Sequence, residues 1–200
     1  MMMSIHCLMR TGLLVLVMAS GLAASPGVVA ADAASWWRNL GWFEGHWTGQ
    51  EQGLPGNGRG RRCYAPLMDN RFLFMRSVSR FPAQRGYPDD AQHAQWQIFS
   101  RDHDDQRILL RRFGSGGQVV TFALDTEASR SDRFVFESVA FDQAPGAAHG
   151  RLTLFIGRDD SFREQLELGA NANALEQVME GRWRRSEAEG SRCAPNAMNF

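Results

Sequence analysis

Lysine is absent from this chain. All 22 basic residues are arginine, which excludes Schiff-base chemistry at a lysine and a P-loop with its phosphate-binding lysine. A surplus of either charge is missing too. The 22 arginines are matched by 22 acidic residues, giving a formal net charge of zero. With no basic excess to neutralise phosphates, nucleic acid is not an expected partner. Cysteine is scarce, at three residues, and no Cys/His spacing suggests zinc. The sequence has no H-E-x-x-H helix and no G-x-S-x-G elbow. Gly114-Ser115-Gly116-Gly117 sets a serine among glycines, but on a hairpin signal rather than a strand-to-helix turn. Beyond residue 41 there is also no long stretch of helical periodicity. Parallel strands need crossovers of about a dozen residues or more, so the strands found here are expected to pair antiparallel with their chain neighbours.

The first residues do not read as fold. Arg10 supplies a positive charge, Leu13 to Ala24 is almost wholly apolar, Pro26-Gly27 breaks the run, and small residues follow to Ala34. This is the pattern of a signal peptide over 1–33, cleaved after Ala31 or Ala33. The apolar run falls short of the roughly 20 residues that span a bilayer. The expectation is a periplasmic or secreted protein with no membrane span in its mature form. Cys7 precedes the apolar run and does not read as a lipoprotein cysteine. The mature chain keeps Cys63 and Cys193, and an oxidising compartment favours a bridge between them. Two free thiols, too far apart to meet, are the alternative.

The rest divides into a barrel domain over 34–185 and a polar tail over 186–200. Ser35 can cap a short helix that carries Trp36, Trp37 and Leu40 on one face and stops at Gly41. Period-two patterns then predict strands near 45–51, 61–65, 71–81, 93–101, 107–113, 118–125, 133–141, 151–157, 162–168 and 175–184. Leu54 to Gly60 reads as a turn. Ten consecutive antiparallel strands with short connections predict an all-β fold, a closed up-and-down barrel with the aromatic helix at one end.

Gly45-His46-Trp47-Thr48-Gly49 makes a G-x-W-x-G start, preceded by Leu40 to Glu44 and followed by the turn Leu54 to Gly58, Arg71 to Ser77, His93 to Gln97 and Arg112 to Gly117. In their order and spacing these segments resemble the nitrobindin-like family and related bacterial lipocalin-like proteins of unknown function. The resemblance covers about 40–185. It implies a ten-stranded barrel and, in nitrobindins, haem held by an axial histidine on a strand near the C-terminus. This chain has no histidine after His149. His93 matches a pocket-facing histidine of the family that is not the axial one, and Met179 is either a substitute ligand or barrel packing.

A small barrel either fills its interior or holds one ligand there, so polar strand residues are the site candidates. They are His46, Trp47, Arg76, His93, Gln95, Trp96, Arg112, Glu137 and Glu164. An inward Arg76 or Arg80 would need a carboxylate such as Glu137 or Glu164, because a lone buried charge is costly. Asp102-His103-Asp104-Asp105 lacks the spacing of a calcium loop and reads as a solvated turn. The sequence therefore points to an exported, non-catalytic barrel for a small and largely apolar ligand, with no cofactor. A haem or nitric-oxide barrel using His93 or His46, an enzyme pairing His93 with Glu137 or Glu164 on a small acid, and a packed interaction domain are the rival expectations.

Overall fold

All ten expected strands form in the computed structural model, which describes residues 33–102, 107–142, 148–187 and 193. The leader, up to its last residue, lies outside the described residues, as do His103 and most of the tail. The strands are β1 (Gly45–Gly53), β2 (Gly56–Leu67), β3 (Phe72–Phe81), β4 (Ala91–Arg101), β5 (Ile108–Gly114), β6 (Val119–Leu124), β7 (Arg133–Asp142), β8 (His149–Ile156), β9 (Ser161–Gly169) and β10 (Leu175–Ser186). Each pairs antiparallel with the next, and β1 pairs with β10 from His46↔Ser186 to Gly53↔Met179. Closure leaves no unpaired sheet edge.

The helix α1 (Ala33–Leu40) and the 3-10 turn Gly41–Phe43 close one end. Trp36, Leu40 and Phe43 are buried in the barrel core. Phe43 packs edge-on against Phe134 at 5.8 Å and Phe162 at 5.1 Å between ring centroids. Aromatic area of this kind dominates core energetics. Trp47 Nε1 donates to the Phe43 carbonyl at 2.7 Å, and Arg185 donates to the carbonyls of Glu44 and Trp42. Those bonds satisfy the carbonyls at the end of the helical segment and fix the plug on the rim.

One sequence expectation needs correcting. Gly56 to Gly60 is strand, paired with β1 from Gly53↔Gly56 to Gly49↔Gly60, so the turn shrinks to Leu54-Pro55. The glycines are there for close packing. A Cβ at Gly49, Gly60 or Gly181 would lie 2.6, 2.9 or 2.5 Å from the indole of Trp183, inside van der Waals contact. The three bare positions make a floor on which that ring lies.

Candidate functional site

Strand alternation sorts the side chains into two sets. On β2 the inward positions are Gly58, Gly60, Arg62 and Tyr64, while Arg59, Arg61 and Cys63 face out. Arg62 is therefore the arginine inside the barrel. Its Nη2 donates to Glu51 Oε1 at 2.9 Å, its Nη1 donates to Glu164 Oε2, and its guanidinium lies 3.9 Å above the Trp183 ring. All three charged side chains are almost wholly shielded from solvent. Two carboxylates around one guanidinium make a buried triad, which is tolerable only because each charge has a close partner. Tyr64 lies beside it, and burial pushes its phenol above the usual range against the opposing pull of Arg62.

Gln97, Ser79 and the indole N–H of Trp183 complete this polar layer, each with buried side-chain polar atoms that have no partner among the described residues. Between the layer and the end away from α1, the lumen opens into a cavity of about 460 Å³. Val120, Phe122, Phe141, Leu166 and Leu168 form its apolar walls. His93, Gln95, Arg112 and the hairpin Gly114 to Gly116 form its polar rim. Arg112 Nε donates to Gln95 Oε1 at 2.8 Å, and Nη2 approaches the Met179 sulfur at 3.7 Å. Burial, and secondarily repulsion from Arg62, lowers the Arg112 pKa to about 10. Two larger hollows, of about 1040 and 750 Å³, lie outside the barrel among outward residues such as Gln50, Arg59 and Arg182.

Of the sequence candidates, the structure brings His93, Gln95 and Arg112 together around the cavity. Trp47 and Glu164 are inside the barrel but away from the cavity wall, Trp47 under the helical plug and Glu164 in the triad. His46, Arg76, Trp96 and Glu137 stand on the outer wall. His46, Arg76 and Trp96 share outward register positions with Cys63. Glu137 accepts from Arg151 Nε at 2.5 Å, with both side chains about one-third exposed. The carboxylates expected to serve Arg76 or Arg80 are thus used elsewhere, and Arg80 also faces out, opposite Arg59. Neither Glu137 nor Glu164 lines the cavity that His93 borders, so the structure does not bring the expected His93–glutamate pair together there. Sequence reasoning missed Arg62 and Glu51. The signal that could have found them is the run Gly58-x-Gly60-x-Arg62-x-Tyr64, a period-two strand hidden by its glycines.

Cys63 and Cys193 are joined by a disulfide with a Cα–Cα distance of 5.4 Å. His46 Nε2 lies 3.4 Å from Cys193 Sγ, so the three side chains hold their ligand atoms within 4.8 Å of one another. Metal-binding cysteine is a thiolate, and the bridge takes up both sulfurs. The inward positions of β10 include Met179, Gly181 and Trp183, which supply no histidine, while His46 is outside the barrel and His93 stands at the rim.

Known proteins give a fold likeness. No family model matches the chain, and no curated protein does. A crystal structure of Rv2717c from M. tuberculosis superimposes with a TM-score of 0.54 at 13% identity, covering 75% of this chain and 96% of that one. A de novo designed fluorescence-activating β-barrel superimposes with a TM-score of 0.33 at 11% identity, covering 72% of this chain and 94% of the design. At such identity the first likeness speaks for the fold alone: this chain is a closed ten-stranded antiparallel β-barrel with a short helical plug.

Proposed function

We propose that this protein is an exported, non-catalytic binding barrel that holds a small, largely apolar molecule in the cavity opposite its helical plug. The observation that carries this reading is the cavity itself. The plugged half of the barrel is filled by aromatic and aliphatic side chains, yet the other half keeps about 460 Å³ between apolar walls and a few polar groups. That size and lining fit the range of about 300–1,000 Å³ typical of small-molecule sites. Closed barrels of this size hold one small ligand in this way. Export is supported by the leader composition and by a disulfide of the sort that oxidising compartments maintain.

A polarity-sensitive dye tests the cavity. It should bind the mature protein in the micromolar range or tighter. Val120→Trp, which places an indole in the cavity wall, should weaken binding about tenfold or more, a loss of roughly 1.4 kcal/mol. Dye affinity unmoved by that substitution would place the dye elsewhere and overturn the reading. N-terminal sequencing of protein from the periplasm of a bacterial host should begin at Asp32 or Ala34; an intact leader there would overturn export.

A further inference from the structure

Arg112 lines the mouth cavity from β5 and has no counter-ion among the described residues. Its Nε–H is taken by Gln95, and its Nη2 meets only the Met179 sulfur, a weak acceptor. Its Nη1 is closed to solvent and has no hydrogen-bond partner among the described residues. Among the described residues Glu51 and Glu164 bond to Arg62 rather than to Arg112. Glu51 still exerts a longer-range attraction on Arg112, but burial and Arg62 outweigh it. The guanidinium stays charged at neutral pH, since its lowered pKa of about 10 is still well above 7. A cation withdrawn from water without an ion pair is costly, and here it borders a hollow with apolar walls and a rim whose polar groups include no carboxylate among the described residues.

We propose, building on the small-molecule reading of the cavity, that the ligand is an amphipathic organic monoacid. Its carboxylate pairs with Arg112, and its hydrocarbon body lies against Phe122, Phe141, Leu166 and Leu168. The planar guanidinium fork suits a carboxylate. Gln95 holds the fork through Nε, and neither Nη group meets a carboxylate among the described residues.

Decanoate and 1-decanol make a matched pair of probes, competed against a polarity-sensitive dye on the mature, disulfide-bonded protein at neutral pH. Decanoate should bind about tenfold tighter or better, as a charge-assisted hydrogen bond provides. Arg112→Gln should erase that preference while decanol affinity holds, and Arg112→Lys should retain part of it. Equal binding of the two probes by the wild type overturns the monoacid assignment and leaves the cavity reading standing. Binding of neither probe overturns both. A preference that survives in Arg112→Gln overturns the role of Arg112. Should the glutamine variant fail to fold, seen as loss of decanol binding, the wild-type ratio and the lysine variant decide the matter.

Discussion

At the scale of the residue, the Arg62 triad sets the terms of the interior. Replacing Arg62 by methionine removes the cation that, among the described residues, holds Glu51 and Glu164, stranding two buried carboxylates. Breaking a buried pair by removing one partner costs about 3–5 kcal/mol. Urea denaturation of Arg62→Met should show a loss of that order, and a loss under about 1 kcal/mol would mean that water reaches the carboxylates. The sequence made Glu164 a candidate but left Arg62 unread. The reason is local: Arg62 stands next to Arg61, and parity alone separates a guanidinium with no exposure from one that is fully outside. Which parity faces in depends on the pairing of β2 with β1 and β3, and pairing is not a property of either residue.

At the scale of the element, β2 shows what composition hides. Its glycines look like a turn, yet they are a platform for Trp183. Gly60→Ala sets a methyl group against Ser79 and the indole. Overpacking of this kind costs about 1–3 kcal/mol, to be read from chemical denaturation beside Arg61→Ala. That control changes an exposed neighbour with no ion pair among the described residues, so it should move stability by no more than about 0.5 kcal/mol. The helix was easier to foresee. Trp36 and Leu40 are one turn apart and bury together, as their spacing requires. Trp37, expected on the same face, follows Trp36 by one position and is only half-buried at the edge of that core, its indole N–H donating to the Asn70 carbonyl at 3.0 Å.

At the scale of the whole molecule, closure and cross-linking work on the same seam. The β1–β10 ladder brings the ends of the domain together, and the disulfide ties the following tail back to β2 across 130 residues of sequence. A bridge closing a loop that long restrains the unfolded chain, typically by 2–4 kcal/mol. Cys193→Ser should therefore lower the unfolding free energy by about 2–4 kcal/mol in equilibrium denaturation, and reductant should bring the wild type to the same value. A variant as stable as the wild type under oxidising conditions would show that the bridge adds nothing. Filling is equally a property of the whole. Inward residues from all ten strands decide that one half of the lumen is packed with rings and the other is left hollow.

The sequence by itself determined the class of this protein. Period-two alternation, short connections and the absence of any long helix leave an antiparallel closed barrel as the way to bury these side chains. Ten strands and an aromatic plug follow from that pattern, because both rest on neighbours along the chain. The inside of the barrel was another matter. His46, Arg76, Trp96 and Glu137 looked equal to His93, Gln95 and Arg112 until register placed the first four outside and the last three around a cavity. A strand with apolar residues on both faces, such as β3, does not reveal which face is lumenal; its partners do. Only the tertiary structure could pair Arg62 with carboxylates 11 and 102 positions away and leave Arg112 without one. Buried charge is settled by distance in space, and in a closed barrel that distance is set by all the strands at once.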